Sequence, residues 1–125
     1  MPSTRQQGSR WERAAEALLC RHGLQPLTRN FSSRFGELDL VMLDGPVLVF
    51  VEVRYRHADR FGSGAETVTR AKQRKLVSTA GYYLGQHAEH RSRPCRFDVV
   101  SIADGDGDGP GGAQLSWIKS AFDAD

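Results

Sequence analysis

One stretch constrains the fold more than any other: residues 36–56, GELDLVMLDGPVLVFVEVRYR. Its first half alternates Glu37, Asp39 and Val41 with Leu38, Leu40 and Met42. Its second half alternates Leu48, Phe50, Glu52 and Arg54 with Val47, Val49, Val51 and Val53. Two-residue periodicity in β-branched and apolar side chains marks strands, and Asp44-Gly45-Pro46 between them is turn chemistry. A two-residue Gly45-Pro46 loop suits both residues, because glycine accepts positive φ and proline has no ladder donor to lose. Asp44 then faces Val47, and the same register carried back sets Asp39 directly across from Glu52, with Cβ atoms about 4.5–5.5 Å apart. Facing like charges in an apolar hairpin are destabilising, and a divalent cation held by oxygen ligands would compensate them. A one-residue change in loop length would break the register. The alternative is that both acids lie on a solvated face, the common place for strand carboxylates. The nearly continuous apolar run Val47 to Val53 reads instead as a strand covered on both sides, which is harder to reconcile with a solvated Glu52.

A chain of 125 residues, 39% hydrophobic and 26% charged, is one domain with enough chain for a real core. No apolar run approaches the roughly 18 residues of a membrane helix. The start, MPSTRQQGSRWER, has no apolar segment of a secretory signal. Cys20 and Cys95 lack metal-ligand spacing and read as reduced thiols, so the expected location is cytoplasmic, away from membranes. Charge is uneven: residues 1–96 hold 16 Lys/Arg against 9 Asp/Glu, and residues 97–125 hold 1 against 6. Fourteen of the 17 basic residues are Arg. A basic body rich in Arg suits a polyanionic partner such as nucleic acid, although a general bias toward Arg would give the same composition.

In chain order, residues 1–8 are expected to be a flexible tail. A helix follows over Ser9–His22, with Ser9 and Glu12 as a capping box, an apolar stripe of Trp11, Ala14, Ala15, Leu18 and Leu19, and Gly23 as its stop. Glu16 lies at the edge of that stripe, either solvated or leaning over the hairpin. Leu24–Arg34 reads as a strand with Leu27, Arg29 and Phe31 on one face. After the hairpin, His57–Ala65 is a Gly-rich loop without a phosphate-loop pattern, and its His57 and Asp59 are a weak catalytic pair. A second helix spans Thr69–Gln86, capped by Thr69, with Leu76, Val77, Ala80, Tyr83 and Leu84 as its core stripe. Its first turns carry Arg70, Lys72, Arg74 and Lys75. Cations there oppose the helix dipole, which points either to a functional surface or to a solvated charged face. Strands follow at Cys95–Ile102 and, shorter, at Leu115–Ile118. Asp104, Asp106, Asp108 and Gly109 imitate a calcium loop, but Leu115 stands where the bidentate Glu is required. The order helix, three strands, helix, two strands predicts an α/β fold with a mixed five-stranded sheet flanked by helices.

These residues resemble the PD-(D/E)xK nuclease core: an Asp, then Glu-x-basic on the next strand, after a helix that bears a Glu. The matching segments are Glu16, Gly36-Glu37-Leu38-Asp39 and Val51-Glu52-Val53-Arg54. With FGSGAETVTRAKQRKL and RFDVVSI, the chain more specifically resembles the YraN-like family of uncharacterised endonuclease-like proteins, over about Trp11 to Phe122. The resemblance implies a restriction-endonuclease-like domain over residues 1–125, related to Holliday-junction resolvases. It implies magnesium or manganese held by Asp39 and Glu52 and completed by Glu16. It also implies hydrolysis of DNA phosphodiesters, selectivity for branched DNA, and a homodimer. Arg54 departs from the motif, which ends in Lys. Arg stabilises phosphate charge but does not shed its proton. Lys72 is the candidate replacement and Lys75 the second choice. Gln73 resembles a Gln behind the site in related nucleases, and Glu37 supports it. Arg54, Arg56, Arg70, Lys72, Arg74 and Lys75 are the expected nucleic-acid contacts. The competing expectations are an inactive nucleic-acid-binding protein, favoured by Arg54, and a protein-interaction module with vestigial carboxylates.

Overall fold

The computed structural model describes residues 4–56, 68–105, 107 and 109–124, with the backbone alone for 4–9. The order is α1 (Thr4–Arg21), β1 (Gln25–Ser33), β2 (Gly36–Asp44), β3 (Val47–Arg56), α2 (Arg70–Gln86), β4 (Cys95–Ala103) and β5 (Gln114–Phe122), with short 3-10 turns at Ala88–His90 and Pro110–Gly112. The strands form one mixed sheet in sequence order. Only β3 and β4 run parallel, and α2 supplies the crossover between them. This α/β arrangement, a five-stranded mixed sheet with two helices, is compatible with a restriction-endonuclease-like core.

Each helix covers a different face. Ala15 and Leu19 of α1 pack with Leu40, Met42, Val49, Val51, Val100 and Ile102. Leu76, Ala80 and Tyr83 of α2 pack with Val41, Leu48, Phe50, Phe97 and Val99. Strand β3 is buried from both sides, as its unbroken apolar run requires. Helix α1 stops at Gly23 (φ 93°), where Leu24 N–H donates to Leu19 O at 3.1 Å and Gly23 N–H to Cys20 O at 3.0 Å. These paired bonds are a Schellman closure, and Leu24 packs in the same cluster as Leu19. Thr69 caps α2 by accepting from Lys72 N–H at 3.1 Å.

Three boundaries differ from the sequence reading. Helix α1 begins at Thr4, so Ser9 lies inside it and the Ser9–Glu12 capping box does not form. Strand β1 does not keep Arg29 and Phe31 on one face: Arg29 pairs with Glu16 of α1, whereas Phe31 packs against Tyr83 of α2. Between them Asn30 takes φ 54°, a left-handed conformation that interrupts the alternation. Strand β5 reaches Phe122 because Ser120, at φ 50°, forms an irregular step after which Phe122 pairs with Phe97. His57 and Asp59, and Asp106 and Asp108 of the calcium-like loop, lie outside the described residues.

Candidate functional site

The hairpin turn has the expected register. Asp44 pairs with Val47, and the ladder runs through Leu43–Leu48, Met42–Val49 and Val41–Phe50 to Leu40–Val51. Gly45 sits at φ 58°, with room around it and the handedness glycine supplies. The next pair in this register would be Asp39 and Glu52, and there the ladder stops. Val53 N–H donates instead to the Asp39 carboxylate at 2.8 Å. Beyond this point β2 remains paired with β1, and β3 with β4. The central strands therefore part into a fork at the two carboxylates. Strand β2 is distorted at the same position: Leu38 packs on the α2 side and Leu40 on the α1 side, although two-residue alternation alone would put them together.

Four side chains from four elements meet at the fork. Asp39 comes from β2 and Glu52 from β3, the latter only 7% exposed. From α2, Lys72 Nζ lies 3.5 Å from Glu52 Oε1. From α1 comes Glu12, near enough to Asp39 and Asn30 for both to shift its titration. Trp11 stacks on Tyr55 of β3 at 4.9 Å and 9°, which holds this turn of α1 over the open end of the fork.

The electrostatics are those of acids gathered without enough positive charge. Burial, with Asp39 close by, pushes Glu12 up to about 7. Burial and Asp39 likewise push Glu52 up to about 7, while Lys72 and Arg54 pull it the other way. Burial also raises Asp39, against the Val53 N–H and the Lys72 charge. Asp39 is the middle member: its charge raises both Glu12 and Glu52, so ionising one of the three acids disfavours ionising its neighbour.

Glu16 stands elsewhere. Its carboxylate receives Arg29 Nε and Nη2, each at 2.6 Å, and this bidentate pair holds Glu16 below the usual carboxylate range. The structure therefore occupies the helix Glu expected as a ligand with an arginine, and brings Glu12, one turn earlier, to Asp39. Sequence reasoning passed over Glu12 because it fitted a cap. Its four-residue spacing from Glu16, on the same helix face, was the available signal.

The remaining expected residues divide. Arg54 acts on Glu52 electrostatically. Arg56 ends β3. Gln73 Nε2 donates to Val68 O at 3.0 Å and tethers the entry to α2. Glu37 is exposed, near enough to raise Glu12 slightly. Arg70 and Arg74 line one cleft on the outer side of α2 with Asp123, and Arg74 and Lys75 line another with Arg34 and Phe35.

Among the described residues, no three His, Cys, Asp or Glu side chains stand already arranged as a metal-ligand set. The fork nevertheless fits a hard divalent ion in its chemistry: only oxygen donors, under-compensated negative charge, and a strand pair held open around them. No helix among the described residues is long and apolar enough to cross a membrane.

A family model described as uncharacterised protein family UPF0102 matches residues 11–102. A UPF0102 protein of Xanthomonas euvesicatoria pv. vesicatoria is 54% identical over 126 aligned residues, covering 100% of this chain and 98% of the relative. One from Xanthomonas axonopodis pv. citri is also 54% identical over 126 residues, with the same 100% and 98% coverage. A UPF0102 protein of Pseudomonas aeruginosa is 46% identical over 122 residues, covering 98% and 96%.

Proposed function

The chain belongs to the uncharacterised family UPF0102, and on that premise we propose that it is a metal-dependent endonuclease that hydrolyses DNA phosphodiester bonds, with branched DNA as its preferred substrate. The observation that carries this reading is the fork, where the β2–β3 ladder gives way at half-buried Asp39 and buried Glu52 and leaves them short of positive charge. Magnesium or manganese would be held by Asp39 and Glu52, with Glu12 as the third carboxylate. The branched substrate and the homodimer rest on the resemblance to junction resolvases, and the cytoplasmic location on Cys20 and Cys95 as reduced thiols.

A divalent ion held by these carboxylates would supply Lewis acidity. The chain's own groups do the rest. Val53 N–H engages Asp39 Oδ2 and thereby fixes how the carboxylate enters the fork. Lys72 Nζ, 3.5 Å from Glu52 Oε1, takes in this reading the role of the motif Lys that Arg54 replaces. From there it donates to a phosphate oxygen, or orients water toward phosphorus. Arg54 stays charged and offers a fork of donors to the phosphate. Lys72 supplies in this reading the lysine that position 54 lacks.

The test is incubation of labelled four-way junction and linear duplex with magnesium or manganese. Cleavage is expected, the junction being favoured, and Lys72→Ala should lower the rate about 10²-fold or more without changing the fold. Salt-sensitive DNA binding with no cleavage by either ion would make the chain an inactive nucleic-acid-binding module. No DNA affinity at low salt would leave a protein-interaction module.

A further inference from the structure

The described surface exposes four large hydrophobic side chains, Leu27, Phe35, Tyr55 and Tyr82. Tyr55 is stacked on Trp11. Phe35 and Tyr82 belong to a different assembly, away from the carboxylates. Phe35 is at the β1–β2 tip and Tyr82 is on α2, and their rings lie 5.6 Å apart. Tyr82 also packs on Phe31 at 6.1 Å, and Phe31 is anchored edge-on to buried Tyr83 at 5.1 Å. The Tyr82 hydroxyl accepts from Gln86 Nε2 at 2.8 Å, and the Arg34 guanidinium lies 4.9 Å over Phe35. The tip is seated closely: a side chain at Gly36 would meet Thr79 Oγ1 of α2 at 3.1 Å, and Gly36 takes φ 142°. The rings are therefore held in place although they are 38% and 37% exposed.

Arg34, Phe35, Arg74 and Lys75 line one shallow cleft here, together with Ala71 and Ser78. Among the described residues no carboxylate lines it. Among the described residues none of its three cations has an ion-pair partner, and Asp123, which shares the neighbouring cleft with Arg74, makes no ion pair with it. Fixed, half-exposed rings beside unpaired cations are the two halves of a nucleotide-strand contact: flat faces for bases and positive charge for phosphates. The cleft runs along α2 beside the sheet-facing stripe on which Lys72 stands with Leu76, Thr79 and Tyr83. From Lys72 to Tyr82 is about 15 Å of helix axis at 1.5 Å per residue, the length of about four stacked nucleotides.

We infer that Phe35 and Tyr82, flanked by Arg34, Arg74 and Lys75, form a stacking platform for an unpaired single strand that leads away from the carboxylate fork. This deepens the proposed nuclease function and rests on it for the direction of the strand, but it is measurable without hydrolysis. The probe is a fluorescein-labelled 12-nucleotide oligo(dT), titrated by anisotropy in EDTA, with a labelled blunt duplex in parallel. Phe35→Ala and Tyr82→Ala should each weaken oligo(dT) binding about fivefold or more and leave duplex binding within twofold. Tyr82→Leu keeps apolar bulk in the packing but removes the π face, and should weaken it comparably. Equal affinities for oligo(dT) in wild type and ring variants would overturn the platform, as would loss of duplex and single strand alike. Ring variants that alter only self-association in light scattering would overturn it too, assigning the patch to a second copy of the chain. Ring-dependent oligo(dT) binding in a protein that cuts no DNA would sink the nuclease reading and leave the platform standing. Cleavage with ring-independent binding would do the reverse.

Discussion

Two acid clusters at the same sheet have opposite surroundings. Asp98 of β4, fully buried, is saturated with donors: Arg96 Nε at 3.0 and 3.2 Å, Trp117 Nε1 at 2.9 Å and Ser120 N–H at 3.0 Å. Arg96 continues to Asp44 at 2.9 Å, so the cluster also ties β4 to the hairpin turn. At the fork, Glu12, Asp39 and Glu52 share one strand amide and one lysine at 3.5 Å as their main compensation. Both clusters take carboxylates out of water. One spends its donors on holding strands together, and the other leaves acid oxygens available and crowded. The difference separates an acid whose donors serve the fold from the acids to which the proposed function assigns a cation.

The sharpest way to break this comparison is to remove one acid from each side. Asp98→Ala strips three donors of their acceptor and leaves Arg96 with its main counterion gone. It should cost about 3–5 kcal/mol and lower the Tm by on the order of 10 °C or more. Asp39→Asn should leave the metal-free protein as stable as wild type or more so. Thermal melts of the two variants decide it, and equal destabilisation would erase the distinction.

Next comes pH. Glu12 and Glu52 rise from near 4.5 to about 7 in the folded chain. A carboxyl raised on folding favours the folded state while protonated. That contribution is complete below about 4.5 and is lost as pH climbs through about 7. The Tm of metal-free protein should therefore fall by several degrees between pH 4.5 and 7.5, and the slope should flatten in Asp39→Asn. A Tm that rises steadily through this window would contradict the account of the fork.

The smallest expected effects lie on α1 and separate its two glutamates. Glu12→Gln should weaken divalent-ion binding about tenfold, the scale of a supporting ligand. Glu16→Gln should leave ion binding unchanged and lower the Tm only slightly, because its partner Arg29 is solvent-exposed. The opposite ranking in an ion titration would return the site to Glu16.

Local chemistry made much of this fold legible. Asp44-Gly45-Pro46 fixed the turn and the register of five pairs, Thr69 fixed the start of α2, and the apolar stripes identified both helix faces. The features that could not be read are those where distant residues choose between equal local options. Glu12 and Glu16 occupy one helix face, and what separates them is Arg29, a strand away in space. Asn30 and Ser120 take left-handed conformations that interrupt two-residue alternation, so β1 changes face and β5 runs on past an apparent end. Even the ladder's failure at Asp39 was hidden, because pairing rules extend a register and do not say where a side chain will take over a backbone donor.

The central claim is that the fork acids are a cation site, and calorimetric titration of manganese at pH 6 and pH 8, on wild type and Asp39→Asn, tests it most directly. The account predicts wild-type binding that strengthens tenfold or more from pH 6 to pH 8 as Glu12 and Glu52 release protons, with binding abolished in Asp39→Asn. Absence of binding at pH 8, or equal binding by both proteins, would contradict it.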